Sequence, residues 1–102
     1  MSVTYVLRFA VKPTELPRFE RLLGQVLDSM RAEPDFRNAV LHRNPDDPHD
    51  FLLYESWANH EDVLNVQMKK GYRKEWQAAM PELLARPREV SMWEAIRADG
   101  EI

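Results

Sequence analysis

The fold of this chain is predicted mainly from one stretch, FLLYESWANHEDVLNVQMKKGY at residues 51–72. Its first part, residues 51–57, is rich in aromatic and large apolar residues, which is typical of a buried or half-buried strand. Asn59 is placed to cap a helix, with Glu61 and Asp62 in the first helical turn near the positive end of the helix dipole. The segment therefore predicts a strand that passes directly into a capped helix.

On both sides of this stretch, the sequence alternates between strand and helix patterns. Period-2 alternation predicts strands, and apolar residues three or four positions apart predict helices. The predicted strands are residues 3–11, 36–43, 51–58 and 89–96, and the predicted helices are residues 14–34 and 60–85. The order β-α-β-β-α-β is the ferredoxin-like arrangement, an α+β fold with an antiparallel sheet.

Smaller features of this prediction rest on residues that favour turns and caps. Thr14 is predicted to cap the first helix, and the Pro, Asn and Asp residues of 44–50 are predicted to form a loop. Gly71 is expected to loosen the second helix midway, and Pro81 to start or kink its last piece.

Length and composition exclude several classes of protein. The 102 residues fit a single domain, residues 1–102, that needs no disulfide or metal to build a core. A net charge of −3 gives no general attraction for nucleic acid or an anionic membrane, and no apolar run approaches a membrane span. The absence of cysteine excludes disulfides, thiolate catalysis and cysteine metal sites. With no signal-peptide pattern at the N-terminus, a cytoplasmic protein is expected.

The third predicted strand, residues 51–58, is apolar on both of its faces. Phe51, Leu53 and Trp57 point to one side, whereas Leu52 and Tyr54 point to the other. The two helices of a ferredoxin-like fold cover only one face of the sheet, so the other face needs a second cover. A second copy of the chain is the simplest cover, which predicts a homodimer packed sheet to sheet.

Four segments of the sequence resemble a known family, the antibiotic biosynthesis monooxygenases of the dimeric α+β-barrel superfamily. They are Glu55-Ser56-Trp57, the helix start NHEDVLNVQ, the segment MPELLARP at residues 80–87, and Trp93-Glu94 in the last strand. The resemblance covers nearly the whole chain. It implies a dimeric α+β barrel and, for the family's small oxygenases, action on phenolic, anthrone-like or quinol substrates without metal, flavin or haem. No cofactor is therefore expected.

The chain departs from the family at positions that bear on mechanism. Many members carry a histidine on the second helix where this chain has Gln67, and a second histidine aligns with Tyr72. Some members place an asparagine on the third strand at the position of Leu53. These differences leave the implied fold unchanged and change the set of residues available for chemistry.

Gln67, Tyr72 and His42 are the candidate catalytic residues, and Trp57, Tyr72 and Trp76 the candidate substrate-binding residues. An aromatic substrate can stack on a tryptophan, although a core position is the more frequent arrangement for both tryptophans. A buried glutamine must find hydrogen-bond partners, either in the backbone or in a polar pocket. Tyr72 can orient a phenol, and His42 near a strand end can act as a base.

Charged side chains offer further alternatives. Glu55 lies in an apolar strand, where burial can raise its pKa and make it a base, but pairing with Arg8, Arg43 or Arg97 is the more frequent arrangement. The run of basic residues at 69–74 is typical of a solvated helix face. The spacing of the histidines matches no metal-ligand pattern, so no metal site is predicted.

Two functions are compatible with these residues. The first is a cofactor-independent monooxygenase, whose substrate carbanion itself reduces dioxygen while the protein binds it, assists deprotonation and excludes water. The second is a non-catalytic dimeric module that binds a small ligand in the same fold. A haem-degrading activity is more remote, because no histidine on the second helix is placed to bind iron.

Overall fold

The computed structural model describes residues 2–100 as a four-stranded antiparallel sheet with helices against one face. The strands are β1 (Val3–Ala10), β2 (Phe36–Asn44), β3 (Asp47–Trp57) and β4 (Glu89–Glu94), and the helices are α1 (Leu16–Met30), α2 (His60–Asn65) and α3 (Lys74–Leu83). The strand order in the sheet is β2-β3-β1-β4. This is the ferredoxin-like topology, so the predicted fold class is confirmed.

The core lies between the inward face of the sheet and α1 and α3. The apolar stripe of α1 is buried against the sheet through Phe19, Leu22, Leu23, Val26 and Met30. Aromatic rings from three elements meet there, with the ring of Phe19 centred 5.5 Å from that of Phe9 and 5.7 Å from that of Trp76. These contacts fix α1 and α3 over the centre of the sheet.

The hairpin between β2 and β3 is tighter than the sequence predicts. Residues 44–50 were expected to form a loop, but β3 already begins at Asp47, which pairs with Asn44. Asp50 is held by a two-pronged ion pair with Arg8 of β1, at 2.8 Å between Nη2 and Oδ2. Residues 47–50 therefore belong to the strand and residues 45–46 form the turn, because of pairing that local sequence preferences do not reveal.

The chain after β3 begins as predicted and then differs. The side chain of Asn59 accepts hydrogen bonds from the backbone N–H groups of Glu61 and Asp62 at 2.8 and 3.2 Å, so the predicted cap is confirmed. The helix then stops at residue 65, and two 3-10 turns, Gln67–Lys69 and Gly71–Arg73, precede α3. A helix that continues to a break at Gly71 is thus a wrong prediction.

The structure corrects the predicted cap of the first helix and one of the two roles predicted for Pro81. Thr14 lies in a 3-10 turn, and α1 begins two residues later at Leu16, with Glu15 at its N-cap and no side-chain cap. Pro81 does not start a helical piece, because it lies inside α3 near the C-terminal end of that helix, and the kink predicted as the alternative stays a prediction.

Within the described residues 2–100, no helix covers the outward face of the sheet. Along β3, Phe51 and Leu53 are buried on the inward side, whereas Leu52 is exposed on the outward side. All six residues of β4 are exposed. Among residues 2–100, no helix is long and apolar enough to cross a membrane.

Candidate functional site

A cavity of about 210 Å³ lies between the inward face of the sheet and the helices. Most of its wall is apolar, formed by Leu7, Phe9, Leu23, Val26, Met30, Leu53, Val63, Leu64, Met68, Trp76 and Val90. Its polar lining consists of Tyr5, Glu55, Arg73, Gln77 and Arg88. A mostly apolar space with a few converging polar groups is the usual form of a small-molecule site.

Glu55 brings a carboxylate into this cavity from the middle of the sheet. It lies on β3, paired with Tyr5 of β1 and Ala39 of β2, and is only 8% exposed. Trp57 Nε1 donates a hydrogen bond to its Oε1 at 3.2 Å. Burial raises the pKa of Glu55, while the positive charge of Arg73, the Trp57 hydrogen bond and the charge of Arg88 act in the opposite direction.

Arg73 supplies a buried cation at the end of the second 3-10 turn. The residue is 6% exposed, and its guanidinium carbon lies 5.9 Å from the ring centroid of Trp57 and 5.6 Å from that of Tyr72. These two rings support the cation through cation–π contacts. Among residues 2–100, nothing accepts a hydrogen bond from its Nε or Nη2 atoms. Such unpartnered buried donors are rare and call for an explanation.

Arg88 brings a second cation to the wall from the segment just before β4. Its Nη1 atom contacts the sulfur of Met80 at 3.0 Å, and burial lowers its pKa while Glu55 raises it. Arg88, Gln77 and Met68 line both the cavity and an adjoining surface groove of about 760 Å³. These three side chains therefore separate the cavity from the groove.

Tyr5 places a phenol at the α2 end of the cavity. Its hydroxyl is hydrogen-bonded to Nδ1 of His60, the first residue of α2. Burial and the charge of Glu55 both raise the pKa of Tyr5. The hydroxyl therefore stays protonated near neutral pH and acts as a hydrogen-bond donor or acceptor rather than as an anion.

Comparison with known proteins agrees with this architecture. The family model described as antibiotic biosynthesis monooxygenase matches residues 2–79. The chain belongs to this family. The matched region contains Glu55, Trp57 and Arg73 but ends before Arg88 and β4.

A Pestalotiopsis microspora protein named as a candidate monooxygenase, GME11364, is 31% identical over 93 residues, which are 90% of this chain and 78% of that protein. The solved structure of Rv0793 from Mycobacterium tuberculosis superposes with a TM-score of 0.86 at 22% identity, covering 98% of this chain and 100% of that one. SnoaB, a cofactor-independent oxygenase from Streptomyces nogalater, superposes with a TM-score of 0.78 at 22% identity, covering 98% of both chains. The two structural likenesses show the fold.

Within this family fold, the candidate substrate-binding residues occupy different positions. Trp76 lines the cavity, with its ring also packed on Phe9 at 5.7 Å between centroids. Trp57 is fully buried behind the wall, where its indole contacts both Glu55 and Arg73. Tyr72 likewise lies behind Arg73 rather than on the wall.

Gln67 is joined to Tyr72 but is not on the cavity wall. Tyr72 Oη donates to Gln67 Oε1 at 3.3 Å, and Gln67 Nε2 donates to Glu33 Oε2 at 3.2 Å. Glu33 also lies 3.7 Å from the ammonium nitrogen of Lys70. Burial raises the pKa of Tyr72, so its hydroxyl remains a donor to Gln67 near neutral pH.

His42 is on the other side of the sheet from the cavity. It pairs with Leu52, which pairs with Arg8, and paired residues of antiparallel strands share a face. His42 is exposed there and lines a shallow surface depression with Arg8, Asn44 and Asp50. The structure therefore does not bring His42 together with Gln67, Tyr72 or the tryptophans.

The arginines of the cavity are the residues that sequence reasoning missed. Arg73 was assigned to a solvated basic face, which is wrong because the 3-10 turn directs it inward. Arg8 and Arg97 were offered as partners for Glu55, but they pair with Asp50 and Asp99. One feature of the sequence could have indicated the inward position of Arg73. Arg73 directly follows the aromatic Tyr72, within a segment that was otherwise expected to continue the amphipathic helix.

Proposed function

We propose that this protein is a cofactor-independent monooxygenase that acts on a small aromatic substrate, phenolic or quinol-like, bound in the cavity between sheet and helices. The observation that carries the proposal is the buried carboxylate of Glu55 beside Arg73 and Arg88 in a mostly apolar cavity. Family membership supports the reaction type, and the description of SnoaB as a cofactor-independent oxygenase supports the absence of a cofactor.

Glu55 is the residue best placed to remove a proton from the substrate. The pKa of Glu55 is raised toward neutral pH, and a general base is most effective when its pKa lies near the pH at which the enzyme works. The positive charges of Arg73 and Arg88 then favour the anionic form of the substrate. Trp57 orients the carboxylate through its hydrogen bond at 3.2 Å, which makes it a positioning residue.

The chemistry then belongs to the electron-rich substrate anion. The anion transfers electrons to dioxygen and combines with the reduced oxygen to give a hydroperoxide on a ring carbon. Where that carbon also carries a hydrogen, loss of water from the hydroperoxide leaves a quinone. One oxygen atom enters the product, the other leaves in water, and the substrate supplies all four electrons. The apolar wall limits the access of water to this intermediate.

The size of the cavity favours a substrate with one aromatic ring. A cavity of about 150 Å³ is enough to hold benzene. The cavity of about 210 Å³ therefore accommodates one substituted ring, and a three-ring anthrone would require the wall to move. Trp76 offers the aromatic surface on which that ring would stack.

The catalytic roles predicted for Gln67, Tyr72 and His42 stay predictions. The hydrogen bond between Tyr72 and Gln67, and the contact of the Tyr72 ring with Arg73, support a positioning role for this pair behind the cation. His42 faces away from the cavity, so a role for it would need a second site on the outward face.

We also propose that the chain forms a homodimer through the outward face of the sheet. That face has an apolar band composed of Val6, Val40, Leu52, Tyr54 and Trp93. Leu52 and Trp93 are exposed, which is unfavourable for an isolated chain in water. Light scattering should give twice the mass of one chain, and Leu52→Glu should halve it, whereas the control Val66→Glu on the helix side should not. A monomer at micromolar concentration contradicts the proposal.

The function is tested by oxygen uptake with a panel of phenols, hydroquinones and anthrones. Wild type is expected to consume oxygen and to release one quinone per molecule of oxygen, with single-ring substrates preferred. Trp57→Phe and Gln67→Ala should be slower if these residues hold the site in place. Uptake no faster than in buffer with every substrate of the panel contradicts the proposal.

A non-catalytic binding module is the second candidate. The observation that favours it is that neither Gln67 nor Tyr72 lines the cavity and that their polar groups are engaged with each other and with Glu33. Binding of phenols in the cavity without any oxygen uptake would support this module over the enzyme.

A further inference from the structure

The surface groove of about 760 Å³ that adjoins the cavity is formed by α3 and the segment that leads into β4. Three of its lining residues are basic, namely Lys12, Arg86 and Arg88. Within the described part of the chain, residues 2–100, no acidic side chain lines it. The groove therefore presents positive charge that its own walls do not balance.

The backbone brings two of these cations to the groove from distant parts of the chain. Val11 and Leu84 form an isolated antiparallel bridge, so the chain just after β1 lies beside the chain just after α3. The backbone N–H of Lys12 also donates to the carbonyl oxygen of Leu83 at 2.9 Å. Lys12 and Arg86 are thus held at one groove by the fold rather than by their place in the sequence.

The three cations are free to bind a ligand. None of them forms an ion pair among residues 2–100. Lys12 and Arg86 are exposed, so their charged ends can reach a molecule in the groove. Arg88 is half-buried, and its Nη1 atom contacts the thioether sulfur of Met80 at 3.0 Å, which is a weak acceptor. Glu55, whose charge acts on Arg88, lines the cavity and not the groove.

The apolar part of the groove is aliphatic. It has four large apolar side chains, those of Met68, Met80, Pro81 and Leu84. Among the described residues no aromatic ring lines it, whereas three line the cavity, those of Tyr5, Phe9 and Trp76. Methionine side chains are flexible and adapt to the shape of a ligand. A flexible aliphatic chain therefore fits this wall better than a flat ring.

We infer that the groove is a second ligand site, which binds a free aliphatic molecule with an anionic head group, a carboxylate or a phosphate. The head group pairs with the three cations, and the chain covers the aliphatic wall. The net charge of −3 opposes attraction to an anionic membrane, which favours a free molecule over a lipid bilayer. This site goes beyond the proposed function, because binding there requires neither oxygen nor the cavity.

Calorimetric titration with octanoate, octyl phosphate and the neutral octanamide tests the inference. Wild type should bind at least one of the two anions about tenfold more tightly than the amide, because the neutral head group loses the charge-assisted hydrogen bonds. The tighter of the two anions identifies the head group. Added salt should weaken the binding of the anions and not that of the amide, since exposed charges are screened.

The double variant Lys12→Gln/Arg86→Gln should lower the affinity for the anions by about tenfold and remove their preference over the amide. Its matched control is Arg21→Gln/Lys74→Gln, which also removes one lysine and one arginine, at exposed positions that line neither the cavity nor the groove. The control should bind all three ligands as wild type does. Circular dichroism establishes that each variant is folded, and the single variants carry the test if a double variant does not fold.

Several results would overturn the inference. One is equal binding of the anions and the amide by wild type, or no binding of any of them. Another is an equal loss of affinity in the two double variants, which would indicate net charge rather than this groove. Binding to vesicles of anionic phospholipid without binding of the free anions would make the groove a membrane contact. A mass in light scattering that Lys12→Gln/Arg86→Gln halves would make it an interface between copies of the chain.

Discussion

Replacing Trp57 with Phe removes a neutral donor that holds Glu55 in place. Trp57 is fully buried, and its Nε1 donates to Glu55 Oε1 at 3.2 Å. Loss of a hydrogen bond to a buried carboxyl group costs about 1.5 kcal/mol. The smaller ring leaves a space that costs about 1 kcal/mol more, and the weaker contact with Arg73 adds about 0.5 kcal/mol. We expect a total loss of about 3 kcal/mol in the free energy of unfolding.

Thermal unfolding followed by circular dichroism measures this loss, which should lower Tm by more than about 10 °C for a chain of this size. Trp93→Phe is the control, because Trp93 also donates from Nε1, to Ser91 Oγ at 2.9 Å, but is 62% exposed. Its effect should stay within about 0.5 kcal/mol in the monomer. Scans at two protein concentrations separate any contribution of Trp93 to a dimer. Equal Tm shifts for the two variants would refute the reasoning.

Three further predictions concern buried polar groups. Because the pKa of Glu55 is raised, the free energy of unfolding of wild type should fall as pH rises from 4.5 through that higher pKa, and Glu55→Gln should remove this loss. The free energy is measured by urea unfolding at each pH, and the same dependence on pH in both proteins would contradict the prediction. Gln67→Ala leaves Glu33 without its amide donor and should cost about 1–3 kcal/mol in urea unfolding, an expectation that fails if the midpoint does not move. Arg8, with a second hydrogen bond from Asn44, lowers the pKa of Asp50 from 3.8 to about 2, so the stability that Asp50 gives above pH 3.8 should disappear as pH falls to about 2. Asp50→Asn should therefore unfold more easily near neutral pH, with a gap to wild type that closes over this acid range; a gap that stays constant argues against the ion pair.

The fold could be predicted from the sequence because its signals are local and periodic. The stripe of α1 and the alternation in β1 each report which side of an element is buried. Asn59 predicts a helix start because its side chain accepts hydrogen bonds from backbone N–H groups only two and three residues later. Predictions that depended on pairing between distant residues were less accurate. Residues 47–50 of the predicted loop joined a strand, and residues 45–46 alone form the turn, because Arg8, far away in sequence, holds Asp50.

The candidate site was harder to predict because it depends on how the helix after Asn59 breaks. Two 3-10 turns replace the continuous helix, and this change rotates Arg73 from the presumed solvent face to the cavity. Trp57 and Tyr72 were selected for their aromatic rings, and both do contact the site, but from behind Arg73. Arg88 lies in an irregular segment before β4, where no periodic pattern shows which way a side chain points.

The cavity on the inward face of the sheet is the proposed place of catalysis. The most direct test compares the initial rate of oxygen uptake for Glu55→Gln and His42→Gln, two substitutions on opposite faces of the same sheet. Loss of a general base should lower kcat by about 100-fold or more in Glu55→Gln. His42→Gln should keep the rate of wild type. Full activity in folded Glu55→Gln, with the loss instead in His42→Gln, would place the chemistry on the outward face and contradict the account.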